Sequence, residues 1–267
     1  MSNKFPAIAF PPRTSLSRRD LLGFAARGAA SVVVSQSLLL ACAADANSLT
    51  DTTSSTDTSG TTTGTTSGNA TCVLTAALTE GPFFVDEKLN RSDIRTDPAT
   101  GAVSAGVPLT LAFNVSRYAS NACTPLTGAY LDVWHCDSTG IYSDVSGSSQ
   151  KFLRGYQITD ANGVAAFTTI YPGWYSGRAV HIHFKLRLYA GATKSYEFTS
   201  QFFFNDTLTD SVYTRSPYSS RGSRNTRNAS DGIYNSLSTA DKAGLTLQTS
   251  QTTDGYAGVI SLGVNVG

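Results

Sequence analysis

The sequence predicts an all-β protein in residues 72–267, a β-sandwich of about eight strands connected by long loops. Two observations predict this fold class. From Cys72 onward, short runs rich in β-branched and aromatic residues are separated by Gly, Pro, Asn and Asp. In addition, no long segment of this region has the apolar period of an α-helix. The chain has 267 residues, 40% of them hydrophobic, which is enough for one substantial core.

Residues 1–44 are predicted to be an export signal. Arg18 and Arg19 precede a weakly apolar, alanine-rich stretch, which is typical of twin-arginine signals. Arg27 and several small or polar residues interrupt this stretch, so it is a poor candidate for a permanent membrane span. The residues before Cys42 resemble a bacterial lipoprotein cleavage box. We expect an exported protein that is periplasmic, extracellular or lipid-anchored through Cys42; cleavage at a nearby small residue, leaving a soluble exported protein, is the alternative.

Residues 45–71 are predicted to be a disordered linker. They are almost entirely Thr, Ser, Gly, Asp and Ala, so few of them can bury apolar surface. Such a linker would tether the folded domain to a lipid anchor and let it stand away from the bilayer. A stalk that carries glycans is the weaker alternative.

Eight segments of the folded region are predicted to be strands, because each is a β-rich run bounded by turn-forming residues. They are Val107–Arg117, Ala129–Cys136, Leu153–Thr159, Val164–Tyr171, Ala179–Tyr189, Tyr196–Phe204, Leu245–Thr252 and Gly258–Val264. Between the third and fourth, the Asn162-Gly163 step favours a tight hairpin. The polar stretch from Asp206 to Lys242 is expected to be a long irregular loop, with one helical turn near Leu237–Gly244. Such loops are often functional, and a solvated surface loop is the alternative.

Two of the three histidines of the chain lie on one predicted strand, at His181 and His183. Side chains at i and i+2 of a strand leave the same face with origins about 7 Å apart, so two imidazoles can converge on one metal ion. Alternation supports a strand, since one face carries only apolar side chains and the other only His, Lys and Arg. The apolar face comprises Val180, Ile182, Phe184, Leu186 and Leu188. Taken alone, this pattern also fits two surface histidines on a polar face.

Three cysteines lie in the folded region, and they fit an exported protein with one disulfide and one remaining thiol. Cys123 and Cys136 flank one predicted strand, whose length would hold them beyond bridging distance. A bridge from Cys72 to either of them is therefore expected, and the sequence does not choose between the two. No pair has the short spacing of a zinc-thiolate site.

Five segments in the same chain order resemble the intradiol ring-cleavage dioxygenases, ferric enzymes that open catechols between the two hydroxyl-bearing carbons. They are Thr79-Glu80-Gly81-Pro82-Phe83-Phe84, the segment from Gly128 to Tyr142, Tyr171-Pro172-Gly173-Trp174-Tyr175, Arg178-Ala179-Val180-His181-Ile182-His183 and Ser200-Gln201-Phe202. The resemblance covers nearly the whole folded region and is closest to the exported, single-chain members. The ordered set is far more specific than any one motif.

The resemblance implies one non-haem Fe(III) per chain, with Tyr142, Tyr175, His181 and His183 as its ligands. Two hard phenolate oxygens favour ferric over ferrous iron, in agreement with that set. The implied reaction combines an aromatic diol with O2 and gives a cis,cis-muconate-type diacid. Tyr175 would act as a general base.

Two further site residues follow from the resemblance. Arg178 would stabilise negative charge near the reacting carbon, and Gln201 would lie beside the oxygen pocket. A solvent-facing arginine and an ordinary strand residue are the alternatives. Trp134 and Trp174 could wall the substrate, although buried aromatic residues need no catalytic explanation.

The sequence departs from the intracellular catechol and protocatechuate enzymes in two ways. Only five residues separate Tyr175 from His181, and the N-terminal helical dimerisation region of some relatives has no counterpart. Both differences predict a more open pocket, and they leave substrate and oligomeric state undetermined. A net charge of +1 gives no reason to expect nucleic-acid binding. The main competing interpretation is a non-catalytic β-sandwich lipoprotein that binds phenolics, carbohydrate or a partner protein. A third interpretation is a zinc hydrolase, but the short segment that holds His181 and His183 has no Asp or Glu as an obvious general base.

Overall fold

The computed structural model describes residues 73–145 and 148–267, and within them the chain forms nine β-strands and three short α-helices. The strands are β1 (Pro108–Ala119), β2 (Ala122–Pro125), β3 (Tyr130–Trp134), β4 (Arg154–Ile158), β5 (Val164–Ile170), β6 (His181–Ala190), β7 (Thr193–Phe203), β8 (Gln248–Gln251) and β9 (Tyr256–Val264). The helices are α1 (Asp206–Tyr213), α2 (Gly232–Asn235) and α3 (Thr239–Gly244). The described part of the chain is therefore mostly β, as the sequence predicts.

The strands form two sheets. In sheet A, β1 pairs in parallel with β9 and antiparallel with both β2 and β5, while β8 pairs with β9. Sheet B has the antiparallel order β4-β3-β6-β7. One buried hydrophobic cluster contains residues of both sheets. At its centre the ring of Phe113 on β1 lies 5.9 Å from that of Phe184 on β6 and 5.8 Å from that of Phe202 on β7, so the two sheets face each other across one core.

Alternation along β6 follows the prediction, since Ile182, Phe184 and Leu186 are completely buried in the core. The opposite face of β6 is also buried, which the sequence pattern does not show. His183 and Lys185 are only 1% and 4% exposed. The interpretation of His181 and His183 as surface residues is therefore wrong for this fold.

Residues 78–91, which we call the cover segment, bury this second face of sheet B. The amide of Leu78 donates to the carbonyl of Thr199 on edge strand β7, and the amide of Tyr156 on edge strand β4 donates to the carbonyl of Leu89. The segment thus crosses the sheet from one edge to the other.

Ion pairs fasten the cover segment to β6. Lys185 pairs with Glu80, and its ammonium lies 4.1 Å from the centre of the Phe84 ring. Farther along the strand, Arg187 pairs with Asp86 of the segment at 2.9 Å. These contacts give the buried cations of β6 acidic partners, which burial of a charged group requires.

All eight predicted strands are present, and the sequence missed β2. β2 pairs with the end of β1 over only four residues, three of them exposed, so it has little hydrophobic pattern to reveal it. The predicted hairpin at Asn162-Gly163 is wrong in one respect. The turn forms, with Asp160 Oδ1 accepting from the amides of Asn162 and Val164, but β4 and β5 belong to different sheets and do not pair.

The stretch from Asp206 to Lys242 is more regular than expected. It contains α1, α2, most of α3 and two 3-10 turns, at Tyr218–Arg221 and Asn228–Ser230. Asn205 caps α1 by accepting from the amides of Thr207 and Leu208, a side-chain signal that favours a helix start. The predicted helical turn near Leu237–Gly244 corresponds to α3.

Cys123 is disulfide-bonded, and Cys136 is a buried free thiol. A bridge between Cys72 and Cys136 is therefore excluded, while the alternative from Cys72 to Cys123 involves a residue outside the described ones. The predicted export signal, Cys42 lipidation site and linker also lie outside them. No helix within residues 73–145 and 148–267 is long and apolar enough to cross a membrane.

Candidate metal centre

The predicted ligands come from three places in the chain and meet at one end of the outer face of sheet B. His181 and His183 are the first and third residues of β6. Tyr175 lies in the turn that leads from β5 into β6, and Tyr142 lies in the loop after β3. Tyr142, His181 and His183 are each at most 4% exposed, whereas Tyr175 is half-buried.

The donor atoms of the four side chains converge. The Nε2 atoms of His181 and His183 are 3.0 Å apart, and His181 Nε2 lies 3.1 Å from Tyr175 Oη and 3.4 Å from Tyr142 Oη. Ligands bound at about 2.0–2.2 Å from one ion, at right-angle to tetrahedral spacing, are themselves about 2.8–3.6 Å apart. The observed separations therefore match those of ligands around a single metal ion.

Contacts on the side away from the donor cluster fix the orientation of each imidazole. His181 Nδ1 donates to the carbonyl of Ala179 at 2.6 Å, which leaves the Nε2 lone pair facing the cluster. The ring of His183 stacks on Trp134 at a centroid distance of 4.9 Å and an angle of 7°. Its Nδ1 atom is buried and has no hydrogen-bond partner among the described residues. Trp134 thus supports a predicted ligand and is itself only 1% exposed.

Burial sets the protonation states of these four groups. It lowers the pKa of His181 to about 3 and the pKa of His183 well below its usual value, so both are neutral near pH 7. It also raises the pKa of Tyr175, and that of Tyr142 to well above 10, so both phenols are protonated without a cation. A bound trivalent cation would reverse this for the phenols.

The donor set fits ferric iron. Among residues 73–145 and 148–267, no group of three or more His, Cys, Asp or Glu side chains is placed to hold a metal ion. A four-ligand site here therefore draws on the tyrosine oxygens, and two phenolates with two imidazoles are hard ligands that suit Fe(III). The role of these residues as iron ligands remains a prediction.

Arg178 and Gln201 lie together beside the cluster. Arg178 Nη2 donates to Gln201 Oε1 at 2.5 Å, and the Gln201 amide donates to the carbonyl of Thr79 at 2.7 Å. On its other side, Arg178 Nε donates to Asp231 Oδ2 at 2.8 Å. Gln201 is completely buried and Arg178 is half-buried, so neither is a freely solvated side chain.

The sequence reasoning missed two neighbours of the site. Phe83 of the cover segment stacks on Tyr142 with centroids 4.3 Å apart and meets the ring of Tyr175 edge-on at 6.1 Å. Phe83 stood inside a recognised motif, so a role could have been assigned to it. The completely buried Asp231 had only a local signal, because an Asp before Gly232 is typical of a helix N-cap. Nothing in the sequence connects it with Arg178.

The contacts of His135 and Trp174 are with residues other than the four predicted ligands. His135 Nδ1 donates to the Cys136 carbonyl at 2.8 Å, and Thr169 lies 2.7 Å from its Nε2, so both ring nitrogens have protein partners. The ring of Trp174 is half-buried beneath the guanidinium of Arg221 at 4.8 Å.

Comparison with known proteins connects this arrangement with ring-cleaving enzymes. A family model described as "Dioxygenase" matches residues 79–217, more than half of the chain and all four predicted ligands. Chlorocatechol 1,2-dioxygenase from Rhodococcus opacus is 29% identical over 133 aligned positions, which cover 42% of this chain and 51% of that protein. The chain thus spans about half the length of the curated relative that it matches.

Two solved structures are similar over the folded region. An intradiol ring-cleavage dioxygenase from Tetranychus urticae superposes with a TM-score of 0.62 at 28% identity, covering 73% of this chain and 96% of that one. The dioxygenase domain of a dioxygenase carbohydrate-binding protein fusion from Streptomyces sp. SirexAA-E has a TM-score of 0.53 at 29% identity, covering 73% and 100%.

Proposed function

Because this chain belongs to the intradiol ring-cleavage dioxygenase family, we propose that it cleaves catechol-type aromatic diols between their hydroxyl-bearing carbons. The co-substrate is O2 and the product is a cis,cis-muconate-type diacid. The observation that carries this proposal is that His181 Nε2 lies 3.0–3.4 Å from three other donor atoms, which are His183 Nε2, Tyr175 Oη and Tyr142 Oη. A non-catalytic sandwich would have no need for such a cluster.

Tyr142, Tyr175, His181 and His183 would hold one ferric ion. When bound, Fe(III) supplies a Lewis acid that binds the diol oxygens and withdraws electron density from the ring, so that the ring carbon reacts with O2. Neutral imidazoles are required for this ligation, and burial already keeps His181 and His183 unprotonated.

The side chains of Tyr142 and Tyr175 differ in how tightly their surroundings hold them. Tyr142 is 4% exposed and stacked under Phe83, so it is held in place. Tyr175 is half-buried and lies in a turn beside the exposed residues Ser176 and Gly177. Tyr175 Oη therefore is the phenol oxygen that can move and accept a proton from a substrate hydroxyl.

Arg178 supplies a fixed positive charge. Its guanidinium is held by Gln201 on one side and Asp231 on the other, so it needs little reorganisation when negative charge develops on the substrate. Phe83 and the cover segment keep water from the buried side of the site.

A visible spectrum of the iron-loaded protein tests the proposal, because phenolates bound to Fe(III) absorb visible light. We expect one iron per chain, a spectral change on anaerobic addition of catechol, and O2 uptake with catechol. Tyr142→Phe and Tyr175→Phe should each alter the band, and His181→Ala should lose the iron. Tyr156→Phe, which changes a tyrosine on β4 outside the ligand set, is the matched control. A colourless, iron-free wild type that consumes no O2 would reject the proposal.

We also propose that residues 1–44 direct export through a twin-arginine route and that Cys42 carries a lipid in the mature protein. The support is the Arg18-Arg19 pair and the residues before Cys42. Replacing both arginines with lysine should trap the protein in the cytoplasm, and Cys42→Ser should release it from the membrane fraction. Unchanged fractionation of both variants would exclude this route and anchor.

A further inference from the structure

The carboxylate of Asp231 is completely buried and accepts four hydrogen bonds, two on each oxygen. Oδ2 accepts from Arg178 Nε at 2.8 Å and from the amide of Ala179 at 2.7 Å. Oδ1 accepts from the amides of Ile233 and Tyr234 at 2.8 and 2.9 Å, which caps α2. The Asp231 side chain thus connects the polar stretch after β7 with Arg178 and Ala179, which lie immediately before β6.

Both partners of Oδ2 lead into the metal centre. Arg178 is held at its far side by Gln201, so the guanidinium has a fixed direction. The carbonyl of Ala179 accepts from His181 Nδ1 and so sets which nitrogen of that imidazole faces the cluster. A shift of Asp231 would therefore move a cation and a predicted ligand together.

We propose that Asp231 is a positioning residue for ring cleavage, which aims Arg178 at the developing negative charge and holds the Ala179 peptide behind His181. This inference rests on the proposed function. Asp231 does not face the ligand cluster, and it acts through Arg178 and Ala179.

A carboxylate is required because all four of its partners are N–H donors. Asparagine has the same shape, but it would turn an NH2 group toward either Arg178 and Ala179 or the amides of α2. It also leaves the buried side of the guanidinium without a counter-charge. Asp231→Asn is therefore a sharp test that keeps the volume of the side chain.

A double-mutant cycle separates positioning from general stability. We expect Arg178→Gln to lower kcat about 100-fold and Asp231→Asn to lower it about 10- to 100-fold, with KM changed less than about 3-fold in each. In the Arg178→Gln background, with kcat expressed per bound iron, Asp231→Asn should change it by less than about 3-fold, because the effect of Asp231 on the chemical step passes through the arginine.

Iron retention against a chelator gives a readout that does not depend on turnover. Asp231→Asn should weaken retention about 10-fold through Ala179 and His181, whereas Arg178→Gln should leave it unchanged. The matched control is Asp97→Asn, since Asp97 is another buried carboxylate that accepts from backbone amides on both oxygens, and none of these amides belongs to a predicted ligand, Arg178 or Ala179. It should lower the free energy of unfolding without changing kcat or iron retention.

Multiplicative losses of kcat per bound iron in the double variant, or an Asp231→Asn variant with wild-type kcat and iron retention, would overturn the inference. In either case an active wild type would leave the proposed function intact. A wild type without iron or O2 uptake would instead reject the proposed function, and with it the reaction that Asp231 is inferred to support.

Discussion

His135 and His181 are both buried imidazoles, yet the atoms around their nitrogens give them different capacities. His135 has protein partners at both nitrogens, whereas His181 uses only Nδ1 for the backbone and presents Nε2 to three other side chains. Burial lowers the pKa of both. The partner at the second nitrogen, and not burial, therefore distinguishes a structural histidine from a candidate ligand.

Replacing His135 with Asn should make the free energy of unfolding of the metal-free protein depend less on pH in the acidic range. Burial lowers the pKa of His135 to about 4 from its usual 6.5. Between these values the unfolded chain binds a proton that the folded chain does not, so stability is complete above about pH 6.5 and falls as the pH drops toward 4. The full loss from this one residue is about 3 kcal/mol.

Urea unfolding of wild type and His135→Asn at several pH values measures this effect. His181 and His183 titrate in both proteins, so the difference between the two slopes isolates His135. Parallel profiles between about pH 6.5 and pH 4 would contradict the expectation.

At the scale of elements, the loops that carry Tyr142 and Tyr175 pack directly against each other. Asp137 Oδ1 accepts from the amides of Thr139 and Ile141 and closes the turn before Tyr142. Gly140 in this turn has a φ of +83°, and a Cβ atom there would lie 2.2 Å from the carbonyl oxygen of Trp174. The distance between the two phenols thus depends on a glycine.

Gly140→Ala should separate the two loops. Its backbone strain costs about 1–2 kcal/mol, and the clash with Trp174 adds to that cost. Gly128→Ala is the matched control, because Gly128 has a φ of +76° and nothing lies within 4 Å of a Cβ atom placed there. We expect the unfolding free energy to fall in both variants, more in Gly140→Ala, and iron retention to fall only in Gly140→Ala. Equal iron retention in the two variants would show that this contact does not set the site.

The cover segment shows why element patterns mislead about burial. Charged and histidine side chains alternate along one face of β6, a pattern that ordinarily indicates a solvent-exposed face. Here Lys185 and Arg187 pair with Glu80 and Asp86 of the cover segment, in addition to Glu197 and Asp132 on the neighbouring strands. The two partners in the cover segment lie about a hundred residues earlier in the chain and belong to no strand, so no local pattern along β6 could reveal them.

At the scale of the whole folded region, the two faces of sheet B have different roles: one contributes to the hydrophobic core and the other carries the candidate site. Its inner face packs on sheet A around Phe113, and its outer face carries the predicted ligands beneath the cover segment. Core substitutions should therefore lower stability while leaving the ligand geometry of the folded fraction intact.

Phe113→Ala should lower the free energy of unfolding by about 3–5 kcal/mol, because it removes a ring from the centre of the inter-sheet core. Val259 on β9 is 46% exposed, so Val259→Ala should change it by less than about 0.5 kcal/mol. Denaturant unfolding measures both. The visible band of iron-loaded Phe113→Ala should persist until the protein unfolds; its loss from the folded protein would contradict the separation of core and site.

The sequence by itself determined the strand pattern, the ordered motifs and the residue types of the candidate metal centre, because these follow from local alternation and from short segments such as His181-Ile182-His183. Only the tertiary structure decided that Tyr142 and Tyr175 meet the histidines, that the cover segment buries the site, and that Asp231 holds Arg178. Each of these is a contact between residues far apart in the chain or between loops without periodicity, and such contacts follow from how the two sheets and their connections pack.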